Sequence, residues 1–209
     1  MMLQKIAVII FSFSFMLAGF YNNETGWVYE QSTLQSFYIF EDISVDEQTV
    51  VGDGATAQDS EQSYCFQNPY SCDVIGAFID DVCIGWVYGD SSGYTTVPAM
   101  GNDGNQPDYA QSGDSINFRV YDSSYGTELS LDLSQIVVDT DNDGNPDLFG
   151  QAPGWENLEI NLIYGSAIAI NSIPGCMDEQ ACNYNSYAIT DDGSCEFPAI
   201  NFDCDGNCL

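Results

Sequence analysis

Val74-Ile75-Gly76-Ala77-Phe78-Ile79, then Asp80-Asp81, then Val82-Cys83-Ile84-Gly85-Trp86-Val87, is the stretch that decides the fold class. Two short runs rich in β-branched and aromatic residues flank two turn-tolerant aspartates, the pattern of a tight β-hairpin. Gly76 and Gly85 interrupt the runs and predict bulges or close backbone approach. Outward from this hairpin the same grammar repeats. Gly26 to Tyr29 opens the body, and Gln35 to Val45 follows with Phe37, Ile39, Ile43 and Val45 alternating onto one face. Asp46 to Tyr64 reads as a loop, and Cys65 to Cys72 as a small tied loop. Ser115 to Tyr121 alternates like a half-buried strand, Ser123 to Gly126 turns the chain into Thr127 to Leu133, and Gln135 to Val138 follows. Asn157 to Ile163 places Leu158, Ile160 and Leu162 on one face, and Ser166 to Ile173 reads as a last strand or a linker. Helical periodicity is weak everywhere beyond residue 19. Many short strands with glycine-rich turns predict an all-β protein, an antiparallel β-sandwich or jelly-roll-like domain over residues 20–173. Residues 174–209 change composition and predict a small, irregular, disulfide-rich C-terminal module.

The N-terminus sets the compartment. One lysine, Lys5, precedes an apolar run from Ile6 to Phe15 and the small-residue stretch Met16-Leu17-Ala18-Gly19, so residues 1–19 read as a secretory signal peptide. A membrane anchor is the alternative, but the run is short against the ~20 residues a spanning helix needs. No later segment is long and apolar enough to span a bilayer. The expected location is extracellular or at the cell surface.

Charge then narrows function. The chain carries 2 basic residues, 32 acidic ones and no histidine. Such a surface repels phosphates and anionic headgroups, which argues against nucleic acid and acidic membranes as partners. Its self-repulsion is relieved by salt, with a Debye length of ~8 Å or less, and by divalent cations. Without histidine there is no Ser-His-Asp triad and no imidazole-held zinc; without lysine past Lys5 there is no Schiff base. Paired carboxylates remain the one catalytic route, with Glu128, Glu156 and Glu159 as candidates for a small glycosidase. Surface glutamates are the plainer reading, and no enzyme activity is expected.

Eight cysteines in an exported chain imply disulfides. Cys65, Cys72 and Cys83 lie in the body; Cys176, Cys182, Cys195, Cys204 and Cys208 lie in the tail. Both groups are odd, so either a bridge joins body to tail or each group leaves a thiol or an intermolecular link. Spacing alone leaves the connectivity open.

Asp139-Thr140-Asp141-Asn142-Asp143-Gly144-Asn145-Pro146-Asp147 is the sharpest chemical motif. Carboxylates at alternate positions followed by glycine let a chain wrap a hard cation, with the Asn145 carbonyl and Asp147 closing the shell. Gly150 stands where an EF-hand needs glutamate, so the stretch resembles the shorter calcium loops of thrombospondin-type or dockerin-type repeats. An ordinary acidic turn is the bland alternative. Asn102-Asp103-Gly104-Asn105 with Asp108 is a weaker candidate of the same kind. A possible second site in the tail comprises Asp191, Asp192, Asp203, Asp205 and Asn207. Trp27, Trp86, Tyr88, Tyr94 and Trp155 could form a sugar-stacking platform, although aromatic residues in strands are more often core.

The tail carries a resemblance. Gly175-Cys176-Met177-Asp178-Glu179-Gln180-Ala181-Cys182-Asn183-Tyr184-Asn185, then Asp191-Asp192-Gly193-Ser194-Cys195-Glu196-Phe197-Pro198, then Asp203-Cys204-Asp205-Gly206-Asn207-Cys208-Leu209, resembles a cysteine-rich repeat of large secreted proteins from marine bacteria. The body is similar, less closely, to a domain found with those repeats, through Gln35 to Phe40, Ile75 to Phe78 with Cys83 to Gly85, Val97 to Gly104, and Phe118 to Asp122. The resemblance implies a secreted or surface modular protein with β-sandwich units. The expected function is a structural or adhesion module stabilised by calcium and disulfides, self-assembling or binding glycans, with a carbohydrate-binding module as the alternative.

Overall fold

The computed structural model describes residues 19–57, 63–141, 143–170, 174–184, 190–191, 193–198 and 204. The predicted leader, residues 1–19, therefore lies almost wholly outside the described residues, as do Asp192, Asp203, Asp205, Asn207 and Cys208.

The strands run β1 (Phe20–Tyr21), β2 (Val28–Tyr29), β3 (Gln35–Val45), β4 (Gln48–Thr49), β5 (Val74–Ile79), β6 (Val82–Tyr88) and β7 (Thr95–Met100). They continue as β8 (Asn117–Asp122), β9 (Thr127–Ser130), β10 (Val137–Val138), β11 (Leu148–Phe149) and β12 (Ile160–Ala169), with β13 (Pro174–Gly175) and β14 (Thr190–Asp191) in the tail. One helical turn, α1 (Tyr64–Gln67), precedes β5. The body is an all-β sandwich, as the alternation predicts. One sheet has the order β6-β5-β8-β9, and the other β11-β10-β12-β3-β4 with β7 also paired to β3.

The deciding hairpin forms as read: β5 and β6 pair antiparallel around Asp80-Asp81, with a register shift after Ala77. Asp80 takes the left-handed backbone, φ 48°, which aspartate tolerates better than most residues. Both glycines mark close approach. A Cβ at Gly85 would overlap the Pro98 carbonyl, and one at Gly76 would lie 2.8 Å from the Trp27 ring.

One pairing departs from an all-antiparallel sandwich. The two longest strands, β3 and β12, pair in parallel, Ile160 opposite Phe37 through Ala169 opposite Val45. More than a hundred residues separate them in sequence, room for the whole second sheet as the crossover that parallel strands require. A bulge between Ile163 and Ser166, at Gly165 with φ 81°, lets β12 continue, so Ser166 to Ala169 is strand and not linker.

Between the sheets, Phe118 on β8 meets Tyr38 and Phe40 on β3 edge to face, each at 5.0 Å between centroids. Ile75, Ala77, Val87, Val97, Val120 and Ile163 complete this fully buried layer. Each large side chain removed from water contributes roughly 1.5–3 kcal/mol. On β12, Ile160 and Leu162 do share a side, but it is the solvent side, while Asn161 and Ile163 face inward; Leu158, predicted on the same face, lies before the strand, exposed and at φ 64°. Asn161 is satisfied there, its Nδ2 donating to Ser36 Oγ at 3.3 Å and to the Phe37 carbonyl at 3.4 Å.

The outer face of the four-stranded sheet is covered as well. Phe66, in the α1 turn closed by the Cys65–Cys72 disulfide, packs on Tyr88, 5.2 Å between centroids. Trp27, beside β2, meets Phe78 edge-on at 5.1 Å. Trp86 lies under this layer and donates Nε1–H to the Phe20 carbonyl at 3.0 Å.

In the tail, Cys176 pairs with Cys195 and Cys182 with Cys204. The buried tail residues Cys176 and Ala181 lie outside the body's hydrophobic core. Cys83 does not join the disulfide set. It is a buried free thiol on β6, donating toward the Gly85 carbonyl at 3.5 Å. No helix among the described residues is long and apolar enough to cross a membrane.

Candidate functional site

The acidic motif forms the loop of a β-hairpin. β10 and β11 pair Val137 with Phe149 and Val138 with Leu148, which leaves residues 139–147 as the connection. Its base is closed twice. The Asp147 backbone N–H donates to the Val138 carbonyl at 3.0 Å. The Asp147 carboxylate accepts from Thr140, Oδ1 at 3.0 Å from N and Oδ2 at 2.7 Å from Oγ1, and these bonds lower its pKa.

Above that base the loop curls on itself. Asp139 accepts the Gly144 N–H at 2.7 Å and the Asp143 N–H at 3.2 Å. Asp143 accepts the Asn145 backbone N–H at 2.8 Å and its side-chain amide at 3.0 Å. Gly144 permits the bend with φ 90°. One carboxylate oxygen each from Asp139, Asp141 and Asp143 then lies within 4.8 Å of the others. Three hard oxygens at a solvent-facing loop tip are the donor chemistry that suits calcium more than a softer metal. Of the five candidate ligands, the structure gathers Asp139, Asp141 and Asp143; Asp147 faces Thr140, and the Asn145 amide faces Asp143.

The other candidates separate. Asp103 is a latch: Oδ2 accepts from Thr33 N and Oγ1, both at 3.1 Å, and Oδ1 accepts from Asn105. These bonds, led by the one from the Thr33 N–H, hold its pKa down to about 2. In the tail, Asp191 is described only as strand backbone.

The aromatic platform is absent. Trp86, Tyr88, Trp155 and Trp27 are all buried, while Tyr94 is half-exposed and apart from them in this respect. Coverage of the outer sheet face by the N-terminal hairpin and the disulfide loop turns a would-be surface into a second core layer. Trp155 lies over Gly101 and donates Nε1–H to the Ala99 carbonyl at 3.0 Å.

The three glutamates also divide. Glu128, on β9, takes the Trp27 indole N–H at 3.0 Å and Arg119 Nη1 at 2.9 Å. Glu156 and Glu159 line a cavity of about 210 Å³ beside Asp139, and Glu156 accepts from Ser112 Oγ at 2.6 Å. Asp73 is a further structural carboxylate, one that no sequence motif marks. It is buried and accepts from Val51 N, Ser123 N and Ser123 Oγ at 2.8–2.9 Å. No local motif announces it; its partners lie 22 and 50 residues away.

Comparison with protein-family models, curated proteins and solved structures finds no match for this chain.

Proposed function

We propose that this protein is an extracellular structural or adhesion module whose acidic loop binds calcium and whose tail is held by disulfides. The observation that carries the reading is the gathering of Asp139, Asp141 and Asp143 at the tip of the β10–β11 hairpin. A cation there would be held by those three carboxylates, with water completing the shell. It would stabilise the loop by cancelling repulsion among charges already brought close. The disulfides among the described residues suit an oxidising compartment. The likeness of the tail to the repeat of secreted marine bacterial proteins and the absence of histidine from the chain favour attachment over catalysis.

The test is thermal melting of the disulfide-intact chain in calcium and then in chelator, beside retention of the protein on intact cells or particles. The expected result is a higher midpoint in calcium, growing with concentration above the dissociation constant, together with calcium-supported retention. A midpoint indifferent to calcium removes the cation from the reading. A monomer that adheres to nothing in millimolar calcium overturns the adhesion role.

A further inference from the structure

Away from the acidic loop, the turn Ser123-Ser124-Tyr125-Gly126 between β8 and β9 stands opposite the β3–β4 turn at Asp46-Glu47. Two cavities, of about 770 Å³ and 570 Å³, flank Tyr125 and share Asp46 and Thr49. Clefts of roughly 300–1,000 Å³ are the size class of small-molecule sites. Tyr125 itself is half-exposed, 52 %.

The Tyr125 turn is rigidly held. Asp73 fixes Ser123 through both its N–H and its hydroxyl at 2.9 Å, and the same carboxylate holds Val51 N at 2.8 Å. Asp122 closes the turn, its carboxylate accepting Ser124 N–H and its carbonyl accepting Gly126 N–H, both at 2.8 Å. Across the groove Asp42 is oriented by the Ser166 hydroxyl at 2.7 Å, with the Thr49 hydroxyl at 3.4 Å. A backbone turn held this way fixes where the Tyr125 ring is presented, which lowers the ordering cost of binding a ligand there.

The lining decides the ligand class. Asp42, Asp46 and Glu47 along the wall disfavour phosphates, sulfates and uronates. A bare metal site is not indicated either. Among the described residues, the group of three carboxylates within ligating reach is the one at Asp139. What remains is a ligand that is uncharged, rich in hydroxyl donors and apolar on one ring face. Carboxylate oxygens retain lone pairs for such donors, and an aromatic face accepts the C–H side of a sugar ring.

We propose that the groove on both sides of Tyr125 binds a neutral oligosaccharide, stacked on Tyr125 and hydrogen-bonded by Asp42 and the β3–β4 turn. The assignment rests on the adhesion reading and gives it a ligand class.

The test is calorimetric titration of the disulfide-intact protein in calcium with glucan and mannan hexaoses of different linkage, and with an alginate oligomer as the anionic control. At least one neutral series binds and the alginate does not. Tyr125→Ala weakens binding about tenfold or more, the equivalent of ~1.4 kcal/mol, and Asp42→Asn weakens it with the melting midpoint preserved. Tyr70→Ala, at an exposed tyrosine elsewhere (78 %), changes nothing. No binding by any neutral oligomer, binding indifferent to Tyr125→Ala, or preference for alginate overturns the proposal. The two readings fail separately. Calcium-supported retention without sugar binding removes only the groove, while sugar binding without retention removes the adhesion role.

Discussion

Arg119 lies with its guanidinium carbon 4.3 Å from the centroid of the Phe78 ring. It is the only basic residue beyond Lys5, and it sits where it closes a ring of contacts. Nη1 holds Glu128 at 2.9 Å, Glu128 takes the Trp27 indole N–H, and Trp27 meets Phe78 edge-on. Asp81 adds an ion pair at 2.8 Å, but its side chain is 96 % exposed and contributes little. Replacing Arg119 with methionine keeps the stem and removes the charge. The expected destabilisation is about 1–2 kcal/mol, chiefly from the cation–π contact and the Glu128 pair. The urea midpoint reads it. An unchanged midpoint would mean that one cation among so many acids is incidental to stability.

The acidic hairpin loop turns on Gly144. Nothing lies within 4 Å of a Cβ built there, so the Gly144→Ala change adds no clash. It forces a non-glycine residue to φ 90° and weakens the Gly144 N–H bond to Asp139. The expected cost is roughly 1–2 kcal/mol of local strain. Calcium titration followed by melting should show a weaker dissociation constant in the variant, with the calcium-free fold retained. Equal calcium response in both proteins would place any cation elsewhere.

The Asp103 latch makes a pH-dependent prediction. Its folded pKa of about 2 lies below the unfolded value, because Thr33 and Asn105 donate to the charged form. At pH 2–4 the unfolded state therefore binds more protons at this residue than the folded state. The stabilisation is fully present above the unfolded pKa and is lost as pH falls through the folded one. The pH-dependent part of the stability difference between wild type and Asp103→Asn should therefore be constant from neutral pH to about 5, shrink below 4 and disappear only below about 2. Paired urea titrations across that range measure it. A difference independent of pH would show that Asp103 titrates alike in the folded and unfolded chain, so that its bonds to Thr33 and Asn105 do not favour the charged form.

Cys83 is buried, and burial pushes its thiol up to about 12. Little thiolate exists at neutral pH, and the nucleophile is the thiolate. Alkylation of native protein followed by peptide mass analysis should find Cys83 unmodified, and fully modified once denaturant is present. Rapid native labelling would place Cys83 at the surface and contradict its position on β6.

Much of this fold is legible in local patterns because hairpins are local. Asp80-Asp81 between two apolar runs specifies β5–β6 without reference to the rest of the chain. The β3–β12 pairing is not legible, since it joins strands separated by the whole second sheet and no short-range signal encodes it. Alternation likewise puts Ile160 and Leu162 on one side, but does not show which side meets the core, nor that the strand starts after Leu158. That depends on the β3 register, which sets Ile163 opposite Phe40. The aromatic residues mislead for a related reason. Whether Trp86 and Tyr88 are platform or core depends on what covers their sheet, and the cover comes from β1, β2 and the disulfide loop. At the acidic motif, spacing identifies the three gathered carboxylates. The diversion of Asp147 to Thr140 follows from where the hairpin ladder ends.

Gly85 tests the corner where the two sheets meet. The β6 backbone passes so close to β7 that a Cβ on Gly85 would overlap the Pro98 carbonyl oxygen and carbon. Both obstacles are backbone, so no side-chain rotation relieves them. The strands must move apart, which would disturb the buried Ile84 and Val97 as well as the contact itself. Gly85→Ala should destabilise by about 3 kcal/mol or more, toward the upper range of overpacking changes. Gly93→Ala, at an exposed loop position with open space around it, should lie within about 0.5 kcal/mol of wild type. Equal melting midpoints for the two variants would mean that β6 and β7 are not in contact at this corner.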